Sequence, residues 1–168
     1  FMERSAGSVR VTSKPGQGTT FTLYFPRHYP TDNKGELADE NITTDFRGNE
    51  TILIVDDEQG LLNLTSETLN QYGYNTLCAA NAKQALEILE LQPVDLLFSD
   101  IIMPDMDGYK LAAIVKNKYP AIKIQLASGF EDNENINAVD ENLHRNLLHK
   151  PFNAKALVKK VRELLDEN

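Results

Sequence analysis

The sequence predicts an α/β domain with a doubly wound parallel sheet, preceded by a β-hairpin and a polar linker. Short apolar strand patterns alternate with amphipathic helix patterns five times between residues 51 and 168. Acidic, hydroxyl and ammonium side chains follow several of these predicted strands. The 168 residues are enough for one well-cored domain with additional segments.

The first zone, residues 1–28, has the pattern of a β-hairpin. Two alternating runs, residues 8–13 and 20–25, flank a Pro/Gly turn. An isolated hairpin has little stability in water, so a partner surface is expected. The second zone, residues 29–50, is poor in large apolar side chains and is predicted to be a flexible linker.

The third zone, residues 51–168, contains the five strand–helix repeats. The predicted strands cover residues 51–55, 74–79, 94–99, 122–127 and 146–149. The predicted helices cover residues 59–72, 82–89, 109–118 and 131–142, and a last helix follows Asn153. Asn81 and Asn153 are expected to be N-caps. Right-handed crossovers then give a parallel sheet, and such sheets bind their ligands at the carboxyl ends of the strands.

Polar side chains follow four of the predicted strands. Asp56 and Asp57 follow the first strand, Asp100 the third, Ser128 the fourth and Lys150 the fifth. Carboxylates about 4 Å apart repel each other by roughly 4 kcal/mol at an effective dielectric of 20, so a cation is expected among them. Hard oxygen ligands with space left for water and phosphate favour Mg²⁺ over zinc.

These residues predict phosphoryl chemistry. Asp100 is the expected nucleophile, because a carboxylate can attack a phosphoryl group to give an aspartyl phosphate. Asp57, with Asp56, is expected to hold the metal directly or through water, while Lys150 and Ser128 bind phosphoryl oxygens. Each residue alone also has an ordinary explanation as a helix cap, a turn or a solvated lysine. Their occurrence together at the strand ends favours a site.

The same residues carry a resemblance to a known family. They lie in the runs VDDE at 55–58, DIIMPDMDG at 100–108, ASG at 127–129 and HKPF at 149–152. Over residues 50–166 the chain resembles the receiver domain of response regulators. The resemblance implies a flavodoxin-like (βα)₅ fold and transfer of phosphate from a phosphohistidine to Asp100. It also implies Mg²⁺ bound by Asp57, Asp100 and the Ile102 backbone carbonyl, and a cis Lys150–Pro151 bond.

Two features depart from the common pattern of that family. Leu147 stands where the family often has an aromatic switch residue, so switching is expected to depend on Ser128 and the loop after it. Ile102 and Phe130 lie two residues beyond Asp100 and Ser128, and neither can orient an attacking water. Slow loss of the phosphoryl group is therefore expected.

The first zone resembles the end of a histidine-kinase ATP-binding domain, through the run GQGTTF at 16–21 and the strand ending FPR at 25–27. The nucleotide-binding elements of that family would lie upstream, so ATP binding by this segment is not expected. Together the three zones resemble the C-terminal end of a hybrid sensor histidine kinase. The resemblance implies that this fragment catalyses only its own aspartate phosphorylation. Its donor would be the phospho-acceptor domain of a histidine kinase or a histidine phosphotransfer protein.

Composition limits the other classes of function. A net charge of −8 and a pI near 4.9 oppose binding to nucleic acid. No apolar run reaches the ~20 residues of a membrane span. The chain begins at Phe1 in mid-pattern and is interpreted as a fragment of a longer protein. The fragment is expected to be cytoplasmic and to make no membrane contact, whether or not the longer protein is anchored in a membrane. The single Cys78 fits a reducing compartment.

Two alternatives and three histidines complete the expectations. The domain could be an interaction module that works without phosphorylation, although the intact set of polar strand-end residues disfavours this. A phosphatase of another α/β family would want a second acid at position 102, where Ile102 stands. His28, His144 and His149 lack the helical context of a phospho-acceptor and are expected to be structural or exposed.

Overall fold

The computed structural model describes residues 7–26, 45–129 and 147–167. The chain divides into two compact units, Phe1–Thr43 and Thr44–Asn168, and each is described by itself. Within the described ranges, no helix combines the length and the apolar character that crossing a membrane requires.

The first unit contains the predicted hairpin. Strands β1 (Ser8–Lys14) and β2 (Gly18–Tyr24) pair antiparallel, and the turn is closed by a hydrogen bond from the Gln17 backbone N to the Lys14 O of 3.0 Å. Gly16 lies in this turn at φ 72°, a conformation that favours glycine. Strand alternation places four apolar side chains on one face, each more than half exposed: Val9, Val11, Phe21 and Leu23.

The second unit is built on a five-stranded parallel sheet. Its strands are β3 (Thr51–Val55), β4 (Asn75–Ala79), β5 (Leu96–Asp100), β6 (Lys123–Ser128) and β7 (Leu148–His149). They are arranged in the order β4-β3-β5-β6-β7. This sheet confirms the doubly wound prediction, and β7 is an edge strand in the described part of the chain.

Four helices are described: α1 (Gln59–Gln71), α2 (Ala82–Leu91), α3 (Gly108–Lys118) and α4 (Ala154–Asp166). Asn81 caps α2 by accepting from the Gln84 N at 2.9 Å, and Asn153 caps α4 by accepting from the Ala156 N at 2.8 Å, as predicted. The predicted helix at 131–142 lies outside the described residues. So do Phe130, His28 and His144.

The strands are almost continuously apolar because both faces of the sheet are covered. Alternate residues of β3 and β5 point to opposite faces. Helices α1 and α4 cover one face, where the buried residues include Ile52, Ile54, Phe98, Leu69 and Val161. Helices α2 and α3 cover the other, where they include Leu53, Val55, Leu97, Ala85 and Val115. These two layers fix the strand ends that carry the polar residues.

Residues 45–50 fall inside the predicted linker, and they pack against the α/β unit. The Phe46 ring contacts the core, and the Phe46 backbone carbonyl accepts a hydrogen bond from the Tyr74 hydroxyl at 2.9 Å. Arg162 of α4 pairs with Glu50 at 2.8 Å. Burial would raise the pKa of Glu50, but Arg162 and backbone hydrogen bonds together outweigh burial and lower this pKa. A Cβ on Gly48 would collide with Glu50 and Tyr74 side chains, so glycine suits this close approach. The boundaries of the linker and of the flanking domains stay predictions.

Candidate functional site

Three carboxylates meet at the carboxyl end of the sheet. Asp56 follows β3 and Asp100 is the last residue of β5; their exposed fractions are only 7% and 9%. Asp57 is exposed beside them. One carboxylate oxygen from each of the three lies within 4.8 Å of the others. Parallel pairing of β3 with β5 brings these strand ends together, as the sequence predicts.

Lys150 joins the two buried carboxylates. Its Nζ lies 2.9 Å from Asp56 Oδ2 and 2.7 Å from Asp100 Oδ1. The lysine follows β7, and the Lys150–Pro151 peptide bond is cis, as the resemblance implies. The structure therefore brings four of the predicted side chains, Asp56, Asp57, Asp100 and Lys150, into one cluster.

Burial and charge set the protonation of this cluster. Burial raises the pKa of Asp100; Lys150 opposes this rise, and the Asp56 charge adds to it. Burial alone would lower the pKa of Lys150, but the hydrogen bonds and charges of Asp100 and Asp56 outweigh it and raise this pKa. At neutral pH the lysine is therefore charged.

The segment between Asp100 and α3 is a closed loop packed against the end of β5. The Gly108 N donates to the Ile101 O at 2.9 Å, and Asp107 caps α3 by accepting from the Lys110 N at 2.8 Å. A Cβ on Gly108 would meet the backbone of Asp100. Only a glycine fits against this strand end without moving it.

Ser128 ends β6 at the same edge of the sheet, and its hydroxyl contacts a histidine of the neighbouring strand. The Ser128 Oγ lies 2.9 Å from His149 Nδ1, and Ser128 is 1% exposed. His149 is exposed, and the sequence analysis expected it to be either structural or exposed. Sequence reasoning missed the contact, although a serine and a histidine at the ends of neighbouring parallel strands were a signal for it.

The structure describes two of the three residues that depart from the common pattern of the family, Leu147 and Ile102. Leu147 is half-buried and packs against the small cluster of Ile101, Ala112 and Leu126. Ile102 has an exposed fraction of 57%. The role of the Ile102 backbone carbonyl as a metal ligand remains a prediction.

A cavity of about 530 Å³ adjoins the cluster on the α1/α4 side of the sheet. Asp56 and Lys150 lie at its polar end, and most of its remaining lining is apolar. The apolar side chains include Leu61 and Leu64 of α1, Phe98, Phe152 and Leu157. Leu64 is 60% exposed, which makes this side of the site unusually apolar for a surface.

The donor set fits a hard divalent cation. Three carboxylates against one ammonium leave the ionised cluster with two uncompensated negative charges. All the clustered donors are oxygens, which suit Mg²⁺ and give zinc none of its preferred sulfur or nitrogen ligands. The site can therefore concentrate a divalent cation beside a buried carboxylate.

Residues 52–162 match the family described as the response regulator receiver domain. The match covers more than half of the chain, and the parallel sheet and the acidic cluster agree with it. The chain belongs to this family, and its α/β unit is a receiver domain of two-component signalling.

Similar proteins support the assignment. The sensor kinase CckA of Brucella abortus is 31% identical over 99% of this chain and 18% of its own length. The autoinducer 1 sensor kinase/phosphatase LuxN of Vibrio harveyi is 29% identical over 93% of this chain and 20% of its own length. The chain thus spans about a fifth of these relatives.

A solved structure gives the same fold. The CheY-like receiver domain protein from Methanospirillum hungatei is 31% identical, with a TM-score of 0.60. The similarity covers 71% of this chain and 95% of that one. It supports the flavodoxin-like (βα)₅ prediction.

Proposed function

We propose that Asp100 accepts a phosphoryl group from a phosphohistidine in a Mg²⁺-dependent reaction. The observation that carries this proposal is the position of the Asp100 carboxylate, buried at a strand end and 2.7 Å from Lys150. A phosphoryl group on this carboxylate would find an ammonium already in place. The intact cluster also disfavours an interaction module that works without phosphorylation.

In the proposed reaction an Asp100 carboxylate oxygen attacks phosphorus as the phosphorus–nitrogen bond of the donor breaks. The donor imidazole takes the electron pair, and later a proton from solvent. Lys150 offsets charge on the equatorial oxygens, and the Ser128 hydroxyl donates to one of them once it is free. Asp100 has to be ionised to attack. Because burial raises its pKa, we expect phosphorylation to slow as the pH falls through that value.

The proposed metal site consists of Asp56, Asp57, Asp100 and the Ile102 carbonyl. Mg²⁺ at this position would supply positive charge to the transferring phosphoryl group. The clustered carboxylate oxygens, within 4.8 Å of one another, support this proposal. Chelation of Mg²⁺ should abolish phosphorylation.

Acetyl phosphate tests the acceptor directly. With Mg²⁺, the wild type should gain one base-labile phosphate, seen as a mass increase of the intact protein. Asp100→Asn should gain none. Asp105→Asn is the matched control, because Asp105 is exposed nearby at φ 68°, a conformation that asparagine tolerates. An unmodified wild type, or a modified Asp100→Asn protein, would contradict the proposal.

We also propose that the phosphohistidine donor docks over the apolar cavity between α1 and α4. The cavity adjoins Lys150 and carries the exposed Leu64. A donor domain that presents its histidine from a helix could cover this surface and reach Asp100 from the same side. Such a donor is the phospho-acceptor domain of a histidine kinase or a histidine phosphotransfer protein.

Leu64→Arg separates docking from chemistry. It should slow transfer from a phosphorylated histidine phosphotransfer protein roughly tenfold or more, because a charge in an apolar interface centre is costly. The rate with acetyl phosphate should not change. Leu91→Arg is the control, since Leu91 is 81% exposed on α2. Equal effects of the two substitutions on protein-to-protein transfer would contradict the docking surface.

The parent protein is proposed to be a hybrid sensor histidine kinase. Residues 1–28 would be the last strands of its ATP-binding domain, residues 29–50 a linker and residues 51–168 the receiver. The match to the sensor kinase CckA extends over 99% of this chain and supports the arrangement. The exposed apolar face of the hairpin would then pack on upstream residues. Hydrogen exchange tests this packing. The amides of residues 8–24 should be protected more strongly in a protein that includes the upstream residues than in the 168-residue chain.

A further inference from the structure

We propose that His149 is a positioning residue that holds the Ser128 hydroxyl away from the phosphoryl group. Phosphorylation of Asp100 then has to break the Ser128–His149 hydrogen bond. This inference rests on the proposed function, because it assumes that Ser128 donates to a phosphoryl group on Asp100. In this chain, the His149 imidazole would restrain the Ser128 hydroxyl through their hydrogen bond.

The hydrogen bond is well placed to act as a competitor. The Ser128 Oγ and His149 Nδ1 lie 2.9 Å apart, and Ser128 is 1% exposed. A buried hydroxyl proton needs an acceptor. In the neutral imidazole tautomer with its proton on Nε2, Nδ1 accepts, while Nε2–H of the exposed ring reaches water. The hydroxyl has a single proton, so it cannot donate to Nδ1 and to a phosphoryl oxygen together.

The backbone holds the two side chains in register. Ser128 and His149 are partners in the parallel pair β6–β7, so both point to the same face of the sheet. The next backbone N, that of Lys150, donates to the Ser128 O at 2.7 Å. The contact therefore does not depend on a flexible loop. Breaking it requires rotation of the Ser128 side chain or movement of the end of β7.

Because Leu147 has no polar group, His149 is the residue at this strand end that hydrogen-bonds the Ser128 hydroxyl. Leu147 directly precedes β7 and packs against Ile101, Ala112 and Leu126, and its own side chain has no hydrogen-bonding group. His149 pairs with Ser128, which lies two residues beyond Leu126 on β6, so the His149 contact and the Leu147 cluster lie on one face of the sheet. Release of Ser128 would free the imidazole at the surface. The histidine, in place of an aromatic ring at position 147, would then report the phosphorylated state.

Beryllofluoride with Mg²⁺ tests the competition, because it occupies the phosphoryl position on an aspartate without covalent transfer. Affinity is measured at the same pH for every variant. His149→Leu should bind roughly two- to tenfold more tightly than the wild type, which is the range of one hydrogen bond. Ser128→Ala should bind more weakly. Adding His149→Leu to Ser128→Ala should change nothing further.

Two further measurements distinguish this role from a structural one. His149→Asn keeps an acceptor close to the Nδ1 position, and its affinity should lie nearer to that of the wild type. In nitrogen NMR spectra of the three histidines, the Nδ1 signal of His149 should shift when beryllofluoride binds to the wild type. The shift should be absent with Ser128→Ala. Urea unfolding without beryllofluoride shows whether each variant is folded.

Several outcomes would overturn the inference. An affinity of His149→Leu equal to or weaker than that of the wild type refutes competition. A gain of equal size in the Ser128→Ala background shows that His149 acts without Ser128. Both results leave the proposed function standing. A wild type that binds no beryllofluoride contradicts the proposed function, and the inference falls with it.

Discussion

Replacing Lys150 by methionine would remove the only cation that the described residues place between two buried carboxylates. Lys150 Nζ lies 2.9 Å from Asp56 Oδ2 and 2.7 Å from Asp100 Oδ1. Methionine keeps most of the length and apolar volume of the side chain, so the change is mainly electrostatic. We expect Lys150→Met to lower the free energy of unfolding at neutral pH.

The magnitude follows from the two distances. At an effective dielectric of 20, unit charges at 2.9 and 2.7 Å attract by roughly 6 kcal/mol per pair. Removal of the lysine also removes the cost of burying its ammonium group, which is several kcal/mol. The net loss expected for breaking a buried pair is therefore about 3–5 kcal/mol. Mg²⁺ should reduce this loss, because it supplies charge to the same carboxylates and no longer competes with the ammonium.

Urea unfolding is the assay, with and without saturating Mg²⁺, at about pH 7.5 and pH 4. Burial raises the pKa of Asp100 in the folded protein, and loss of Lys150 raises it further. Stability of the variant should therefore be greatest below the unfolded pKa and fall as pH rises through the folded value. The difference from the wild type should be smaller at pH 4 than at pH 7.5.

The matched control for this experiment is Lys155→Met, since Lys155 is exposed on α4. It should change stability by less than about 0.5 kcal/mol. A loss for Lys150→Met no larger than that of the control would refute the electrostatic reasoning. An equal Mg²⁺ effect on the wild type and on Lys150→Met would refute competition between ammonium and metal.

Three further changes test other parts of the receiver. Gly108→Ala places a Cβ against the end of β5 and should cost about 1–3 kcal/mol in urea unfolding; unchanged stability would contradict the tight packing. Ile102→Asn supplies a polar group that can orient water, so the phosphoryl group should decay faster after donor removal, and an unchanged lifetime would show that this position does not limit hydrolysis. Arg162→Met breaks the 2.8 Å pair with Glu50 and should cost about 1–3 kcal/mol, whereas Lys159→Met should cost little, because its ion pair is exposed. Equal losses for these last two would contradict the role of Arg162.

The sequence was sufficient for most of the fold and for the acidic cluster. Alternation of apolar strands with amphipathic helices fixed the sheet, since each element must bury its apolar face against another. The positions of Asp56, Asp57, Asp100 and Lys150 follow from parallel strands ending at one edge. Their roles in phosphoryl transfer remain predictions for the experiments above.

Long-range contacts were the part that sequence patterns could not supply. The composition of residues 29–50 predicted a linker, yet Phe46 and Glu50 of this stretch contact the core and Arg162. A single aromatic and a single charged residue carry no periodicity, so nothing local indicated this packing. The apolar cavity beside Lys150 also depends on the distance between α1 and α4, which the sequence does not specify.

His149 and Lys150, at the edge of the sheet, make the two contacts that a phosphoryl group on Asp100 would disturb. Lys150 pairs with the Asp100 carboxylate, while His149 contacts Ser128 on the opposite face. In the proposed reaction, a phosphoryl group on Asp100 would add negative charge there and attract both the ammonium and the hydroxyl. If the ammonium follows the phosphoryl oxygens, the end of β7 moves with it, and if the hydroxyl follows, the His149 contact breaks. In either case a contact of His149 or Lys150 changes, so we expect the phosphorylated state to be recognised at this edge.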